Sequence, residues 1–505
     1  MSNIGRIEIF TDVPQIDERN IIGVLRNAFA LHQQNVTKYN FLLNYEAGVQ
    51  PLKRKKKYRS EINCQCVDNI ANEVTEFNLG FKWGHPITLV QRGDDDKVAN
   101  LIKRVNNYYE DQEIRAKQQQ LGRFVEICGV GYTYVDTNNE DTPFLVETLD
   151  PRFTFVVRSS YHIDKRVMLG VTYRQAENGN KYFTCFTKDT RFEIENINNV
   201  LNGDARKLET AEQWNEADRS GEKNPLGVVP IVEWIRSYDR MGCFERQISE
   251  MDNLNLLISD FTNDVEQNTQ CVWHANDTEF PTVVTEDENG NKTETTKSPQ
   301  SGQWLVTQTT MDGKTPFVKP LAVDYDYSGM LNNIVTRRSL ILQKCNVPQR
   351  NDNSGGSTGV AMSDATGWSA AESSASKQQN IMESCKMQEV AIVLKAIKLS
   401  SVDGAGELNV LKKSDIQPSI KRQKTYELTV KTNAICALLA HGFALEDSIS
   451  VAPLFEDPAQ TIVRSREGVR KYQETIFGDN EQTNEEKRPF ADLSDQENNS
   501  PMIGK

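Results

Sequence analysis

Apolar residues recur every three or four positions over several long stretches of the chain, a spacing typical of amphipathic helices. The helices predicted in this way cover residues 17–44, 59–80, 94–126, 368–400, 432–441 and 457–477, and two more begin at Phe244 and at Asp324–Asp326. Two of them stop at Gly80 and Gly442, and glycine commonly terminates helices. Long helical stretches are therefore expected on both sides of the centre of the chain.

Residues 132–197 follow a different pattern, in which apolar and polar residues alternate and aromatic residues are frequent. This pattern predicts strands at residues 132–135, 144–149, 153–157, 168–174, 181–187 and 191–197. An Asn-Gly dipeptide at 178–179 is a hairpin signal between two of them. A turn at 224–230 leads into a further buried strand, and a short polar strand pair is predicted at 415–421 and 426–430. Long helices together with a run of strands indicate an α+β fold.

The first helix of the central stretch, residues 224–361, carries two contrasting faces. Its apolar positions follow three- and four-residue steps and are Phe244, Ile248, Met251, Leu254, Ile258, Phe261 and Val265. Carboxylates project from the opposite side, at Glu245, Asp252, Asp260 and Asp264. One face is therefore predicted to pack against the protein and the other to be acidic.

A polar, threonine-rich insert separates this helix from the second one. Two short segments within residues 282–295 flank Asn289 and Gly290, which predicts a β-hairpin. Trp304 opens a further short strand, and Asp324 and Asp326 lead the second helix, where acidic side chains suit the positive helix end. The insert is therefore predicted to be a small β element between two helices.

A glycine- and serine-rich loop follows, and its residues are Asn351, Asp352, Asn353, Ser354, Gly355, Gly356, Ser357, Thr358 and Gly359. The string Gly355-x-Ser357-x-Gly359 matches the nucleophile elbow of hydrolases, but an elbow needs an apolar strand before it, and residues 351–353 are polar. A phosphate-binding loop would end in Gly-Lys-Ser or Gly-Lys-Thr, and no lysine stands there. A mobile loop without catalytic residues is the better interpretation.

The charge balance bears on nucleic-acid binding. Lys and Arg total 58 against 71 Asp and Glu, so the net charge is 58 − 71 = −13, which argues against a protein that coats DNA. The densest basic run, at residues 53–59, fits either a contact with nucleic-acid phosphates or a solvated loop, and both interpretations stay open.

Neither a metal site nor a cofactor site is predicted. The nine cysteines are irregularly spaced, and the closest pair, Cys64 and Cys66, lacks the spacing of a CxxC redox or zinc site. We interpret the cysteines as reduced core thiols, and the five histidines lie far apart. No apolar run approaches the roughly 20 residues of a membrane span and no signal-peptide pattern opens the chain, so neither membrane insertion nor export is expected.

Several motifs occur in a fixed order between about residues 40 and 466. They are Tyr45-Glu46-Ala47-Gly48, the segment 69–77, Gly80-Phe81-Lys82-Trp83-Gly84-His85-Pro86-Ile87, Asn224-Pro225-Leu226-Gly227-Val228-Val229-Pro230-Ile231-Val232, Arg240-x-Gly242-x-Phe244-Glu245 with Asp252, Asn255, Ser259-Asp260 and Asn263-Asp264 downstream, and Val347-Pro348 with Ser354-Gly355-Gly356-x-x-Gly359-Val360-Ala361. In this order they resemble the portal proteins of tailed bacteriophages, of the type found in siphophages and prophages of Gram-positive hosts. The basic run at 53–59 is denser than the family pattern.

The resemblance implies a portal fold in a ring-shaped homo-oligomer, as a rule a dodecamer, at one vertex of the capsid. The implied parts are a wing of N-terminal helices and mixed β structure (1–242), a first stem helix (243–272), a clip (273–320), a second stem helix (321–346), a tunnel loop (347–367), a long helix with the rest of the wing (368–430), a helical crown (431–477) and a disordered tail (478–505).

Function follows from the same resemblance. Double-stranded DNA would be packaged and ejected through the ring without sequence specificity, past the loop 351–359 and the acidic stem face. The clip, with Trp273, Asn289, Gly290 and Trp304, would dock the terminase large subunit and later the head–tail adaptor. Major capsid and scaffolding proteins would be further partners. The protein would belong to the virion, after assembly in the host cytoplasm, and would be no enzyme.

Two alternatives are weighed against the portal function. A metal-dependent nuclease or other terminase-associated enzyme would need carboxylates converging from strand ends, whereas the strongest acidic set lies along one helix. Another structural virion protein, a capsid or adaptor protein, fits the chain length and the helix-hairpin-helix-loop order less well.

Overall fold

The computed structural model describes residues 5–52, 62–93, 95–138, 141–177, 181–196, 221–269, 273–276, 282–286, 292–296, 317–320, 326–349, 367–422, 428–441 and 448. The chain divides into two compact units. Unit 1 comprises Met1–Leu43, Thr75–Cys243 and Glu372–Lys505, and unit 2 comprises Asn44–Val74 and Phe244–Ala371.

The helices fall in long stretches, as the periodicity predicts. They are α1 (Ile21–Glu46), α2 (Ile70–Trp83), α3 (Asp96–Asp111), α4 (Ile114–Cys128), α5 (Ile248–Thr269), α6 (Tyr327–Lys344), α7 (Trp368–Leu399), α8 (Ala405–Leu408) and α9 (Leu428–Ala440). A 3₁₀ turn at Glu245–Gln247 leads directly into α5, and another lies at Lys413–Asp415.

The strands are mostly short and antiparallel. They are β1 (Phe10–Thr11), β2 (Thr88–Gln91), β3 (Val130–Thr137), β4 (Phe144–Leu149), β5 (Thr154–Ser159), β6 (Val167–Gln175), β7 (Lys181–Phe186), β8 (Thr190–Asn196), β9 (Glu222–Lys223), β10 (Ile231–Ile235), β11 (Trp273–Asn276), β12 (Thr282–Glu286), β13 (Lys292–Thr296), β14 (Phe317–Pro320) and β15 (Ile416–Ser419). The fold is therefore mixed α and β, in agreement with the sequence pattern.

Unit 1 contains a six-stranded sheet of order β1-β5-β6-β7-β8-β9 and a three-stranded sheet of order β10-β3-β4. Consecutive strands β5 to β8 pair with their chain neighbours, because each hairpin brings alternating apolar positions to the same face. Leu25 and Phe29 of α1 pack with Phe155 and Phe183 of the larger sheet. The apolar alternation thus gives this sheet one covered face.

A second core of unit 1 lies between the three-stranded sheet and helices α3, α4 and α7. Val105, Leu121, Val135, Trp234 and Val393 are almost fully buried there. The predicted buried strand after residue 230 is confirmed, because β10 is buried along Ile231–Trp234 and pairs with β3.

Two expectations about unit 1 are wrong in detail. The helix predicted over 94–126 is two helices, because Glu113 adopts a left-handed conformation with φ 57° between α3 and α4. The strand pair predicted at 415–421 and 426–430 does not form, since β15 pairs with β2 and residues 428–430 begin α9. Strand pairing between distant segments is a tertiary choice that local alternation does not specify.

Unit 2 contains α5, α6 and two small strand pairs between them. β12 and β13 form the predicted antiparallel hairpin, with Thr282 opposite Thr296 and Glu286 opposite Lys292. β11 and β14, at the two ends of the insert, pair antiparallel, with Trp273 opposite Pro320. Asp326 caps α6 as expected, because its side chain accepts a hydrogen bond from the Gly329 backbone N–H at 2.9 Å.

The helix predicted over residues 59–80 is the clearest error in unit 2. It begins only at Ile70 and continues past Gly80 to Trp83, and residues 62–69 contain neither helix nor sheet strand. These eight residues instead run along α5, in the arrangement described next.

Candidate functional site

The central helices form an antiparallel pair. Near the end of α5, the ring of Phe261 meets the ring of Tyr327 edge-on, with centroids 6.0 Å apart. The Asn268 side-chain amide also donates a hydrogen bond to the Tyr327 hydroxyl. Since Tyr327 is the first residue of α6 and Asn268 is nearly the last of α5, the two helices run in opposite directions.

A row of small polar side chains along α5 binds the backbone of residues 62–69. Asn255, Ser259 and Asn263 are almost fully buried, with relative exposures of 1%, 0% and 3%. Each accepts a hydrogen bond from a backbone N–H of the segment. Going forward along α5, the donor moves back along the segment by two residues at each step. The donor–acceptor pairs are Asp68 to Asn255 (2.9 Å), Cys66 to Ser259 (3.0 Å) and Cys64 to Asn263 (2.8 Å). We call this arrangement the polar ladder.

The spacing of the polar ladder follows from the geometry of the two backbones. Four residues of an α-helix advance about 6.0 Å along its axis. Two residues of extended chain advance about 6.6 Å. Every fourth residue of α5 therefore faces every second residue of the segment, and all three N–H groups are satisfied without a sheet partner.

The amide side chains of the polar ladder are also used as donors. Asn263 Nδ2 donates to the Cys64 carbonyl at 3.0 Å, and Asn255 Nδ2 donates to Gln50 Oε1 at 2.6 Å. Because both polar ends of these buried amides are paired, replacing them leaves backbone or side-chain groups unsatisfied. The polar ladder therefore fixes Gln50 and the segment 62–69 on α5.

Helix α6 also binds the C-terminal end of the same segment. The Arg338 guanidinium forms an ion pair with Asp68, with Nε 2.9 Å from Oδ2, and a second one with Glu73 at the start of α2. Asp68 is also the residue whose N–H binds Asn255. Both helices of the pair are thus tied to the segment 62–69.

The four predicted acidic residues are all half-buried. Asp252 has a defined partner, because the Tyr45 hydroxyl donates to its Oδ1 at 2.8 Å while the Tyr45 ring stacks on Phe244. Burial and this hydrogen bond raise the pKa of Tyr45, which keeps its hydroxyl protonated as a donor. Asp252 therefore has a structural role in addition to any effect of its charge on DNA.

Asp260 and Asp264 directly follow Ser259 and Asn263 in the sequence. Consecutive residues of a helix lie about 100° apart around its axis. The two carboxylates therefore flank the polar ladder, and Glu245 lies in the 3₁₀ turn before α5.

The other predicted site residues are covered only in part. Trp273 begins β11, while Asn289, Gly290 and Trp304 lie outside the described residues. The same holds for the whole loop 351–359 and for the basic run at 53–59. The structure thus places the four acidic residues and Trp273.

Two further properties concern chemistry and membranes. Among the residues that the structure describes, no group of three or more His, Cys, Asp or Glu side chains is placed to hold a metal ion. Within the same residues, no helix has the length and apolar character that crossing a membrane requires.

Sequence reasoning missed the polar ladder, although its signal was present. Asn255, Ser259 and Asn263 recur every four residues, so they share one line along a helix. Buried polar side chains in such a line need partners, which indicates a neighbouring backbone.

Comparison with known proteins gives one family. The family model described as "Phage portal protein, SPP1 Gp6-like" matches residues 27–467 of the chain. No curated protein matches it. The matched residues include most of α1, all of α2 to α9, the insert between α5 and α6 and the loop that follows α6.

Proposed function

The chain belongs to the SPP1 Gp6-like family of phage portal proteins, and we propose that copies of it close into a ring, as a rule a dodecamer, around double-stranded DNA. Its function is that of a phage portal, the channel at one vertex of the capsid through which DNA is packaged. The family is structural, and neither the nuclease nor the capsid or adaptor alternative gains support from the match. The match over residues 27–467 carries this conclusion.

The exposed apolar residues of α6 support the proposed ring. Leu331 and Val335 lie one helical turn apart and are 53% and 57% exposed, and Val265 of α5 is 41% exposed. Apolar side chains aligned on one side of a helix favour burial against another surface. In a closed ring each subunit offers two different surfaces to its neighbours, so one copy would cover these residues of the next.

We assign the parts of the chain as the family pattern implies. Residues 1–242 and 368–430 form the wing, 243–272 and 321–346 the two stem helices, 273–320 the clip, 347–367 the tunnel loop and 431–477 the crown. The antiparallel pair of α5 and α6, with a small β insert between them, supports the assignment of stem and clip.

The acidic side of α5 would be the part of the stem that faces DNA. A channel must let the duplex slide, and each added contact between a cation and a phosphate raises affinity and its dependence on salt. Carboxylates at Glu245, Asp252, Asp260 and Asp264 would keep the duplex from adhering to the wall.

The remaining contacts are proposed for the insert and the loop. The clip, including Trp273, Asn289, Gly290 and Trp304, would dock the terminase large subunit and later the head–tail adaptor. The loop 351–359 would meet DNA, and other surfaces of the ring would meet the major capsid and scaffolding proteins. The protein would assemble in the host cytoplasm and remain in the virion.

Particle images of the purified full-length protein test the proposed ring. Closed rings with a central hole support it, and their rotational symmetry gives the number of subunits. Monomers at micromolar concentration, or icosahedral shells, would contradict the proposal.

A further inference from the structure

Cys64 and Cys66 are brought into contact by the segment that carries the polar ladder. Their Sγ atoms lie 3.6 Å apart, and Cys66 Sγ lies 3.7 Å from the Thr262 hydroxyl of α5. Both cysteines are half-buried, unlike Cys128, Cys185, Cys345 and Cys385, which are buried. The interpretation of all cysteines as core thiols is therefore wrong for this half-buried pair, as it is for the half-buried Cys243 and the exposed Cys436.

We propose that Cys64 and Cys66 are an oxidation site that closes to an intrachain disulfide, and that this disulfide and the polar ladder exclude each other. The proposal goes beyond the portal function and does not rest on the formation of a ring. It rests on the contact between the two sulfur atoms and on the hydrogen bonds of their backbones.

The exclusion follows from distances along the backbone. A disulfide requires Cβ atoms about 3.5–4.5 Å apart and Cα atoms about 4.4–6.8 Å apart. In an extended chain the side chains of residues i and i+2 point to the same side, and their Cβ atoms are about 6.6 Å apart, which exceeds the upper limit of about 4.5 Å for a disulfide. Closing the bond therefore requires a bend between Cys64 and Cys66, which shortens the separation of their N–H groups.

The polar ladder needs the unbent backbone. The N–H groups of Cys64 and Cys66 bind Asn263 and Ser259, whose spacing is one helical turn of α5. A bent segment cannot keep both hydrogen bonds, and it also loses the bond from Asn263 to the Cys64 carbonyl. The polar ladder consequently stabilises the dithiol, and oxidation loosens the segment from α5, since such coupling acts equally in both directions.

The oxidant would be a low-molecular-weight disulfide such as glutathione disulfide. One cysteine thiolate attacks a sulfur of that disulfide, forms a mixed disulfide and releases one glutathione thiolate. The second cysteine thiolate then attacks the mixed disulfide and releases the second glutathione. Two protons leave the protein thiols, and the two electrons reduce glutathione disulfide to two glutathione thiols.

Peptide mapping of the full-length protein detects the bond directly. Trypsin cleaves after Arg59 and Lys82, and the peptide 60–82 contains Cys64, Cys66 and no other cysteine. The protein is equilibrated with glutathione disulfide and then alkylated. The expected peptide carries no alkyl group, and its mass is two hydrogens below that of the reduced, unalkylated peptide. A peptide that stays fully alkylated, or that carries glutathione on one cysteine, would overturn the proposal.

Hydrogen exchange and a matched pair of variants test the exclusion. Oxidation should speed amide exchange in residues 62–69, and Cys64→Ser should abolish this response. At a fixed glutathione ratio, Asn263→Ala should raise the oxidised-to-reduced ratio roughly five- to tenfold, since it removes hydrogen bonds that favour the dithiol. Asn253→Ala, the same change at an exposed position of α5, should leave that ratio unchanged.

Ser259→Ala provides a second test if Asn263→Ala does not fold, because it removes the partner of the Cys66 N–H. It should raise the oxidised-to-reduced ratio in the same direction. Equal ratios in the ladder variants and in Asn253→Ala, or unchanged amide exchange in the disulfide form, would mean that disulfide and polar ladder coexist and would overturn the proposal.

Discussion

The side chain of Asn263 holds the backbone of Cys64 through both of its polar atoms. Oδ1 accepts the Cys64 N–H at 2.8 Å, and Nδ2 donates to the Cys64 carbonyl at 3.0 Å. The pair lies 199 positions apart in the chain and joins an extended segment to the first central helix. In the proposed portal stem, this contact would fix how the segment 62–69 lies on the pair of α5 and α6.

Replacement of Asn263 by alanine should destabilise the protein by about 1–3 kcal/mol, because it leaves buried backbone N–H and C=O groups without partners. Denaturant unfolding followed by circular dichroism measures the change. Asn253→Ala is the matched control at an exposed position of the same helix. Equal unfolding midpoints for the two variants would show that the polar ladder contributes no net stability.

The double variant Leu331→Asp/Val335→Asp should prevent the proposed ring from closing. Both residues are exposed in the isolated chain, and burying two unpaired carboxylates against a neighbouring copy is strongly unfavourable. Light scattering and particle images report the assembly state. Thr336→Asp, on the same helix and also exposed, should still form rings, and rings of the double variant would exclude this surface from the interface.

Reversing the charge at Asp260 and Asp264 should strengthen the binding of double-stranded DNA to the proposed channel. The variant Asp260→Lys/Asp264→Lys should bind double-stranded DNA more tightly, and the slope of log affinity against log salt should steepen by about 0.9 for each additional phosphate that the protein neutralises. Filter binding at several salt concentrations measures this slope. Asp403→Lys makes the same change at an exposed position of unit 1. An equal gain in DNA affinity in this variant would mean that the acidic side of α5 does not face DNA in particular.

Deletion of residues 351–359 should leave rings intact and impair DNA packaging. The sequence of this segment predicts a loop rather than a packed element, so assembly should not depend on it. Ring formation is observed by particle imaging, and packaging by protection of DNA from nuclease. Loss of rings on deletion would mean that the segment is needed for assembly of the ring.

His32 should make unit 1 sensitive to acid. Its ring stacks on Phe155 at 4.5 Å, and burial lowers the pKa of His32 from 6.5 to about 4. Between these values the unfolded chain binds a proton that the folded chain does not, so stability should fall as pH drops from about 6.5 toward 4, by up to about 3 kcal/mol.

His32→Gln should flatten this part of the stability–pH profile, measured as unfolding midpoints at several pH values. His85→Gln, at an exposed histidine, should leave the profile unchanged. A profile that keeps its slope in His32→Gln would assign the acid sensitivity to other groups.

Local patterning was sufficient for most of unit 1. The alternation at 144–149 matches β4 at both ends, and the helix predicted over 368–400 is α7 to within one residue. These elements are long or strongly periodic, so their own sequence specifies them. The break at Glu113 and the pairing of β15 with β2 were missed, because each depends on contacts with distant segments.

The polar ladder divides what the sequence determined from what the tertiary structure decided. By itself the sequence determined the two central helices, the hairpin between them and, through ordered motifs, the portal family. It also predicted a helix over residues 59–80, since Ile62, Cys66 and Ile70 repeat at helical spacing. Only the tertiary structure kept residues 62–69 extended, because the buried side chains of Asn255, Ser259 and Asn263 supply hydrogen bonds that replace those of a helix.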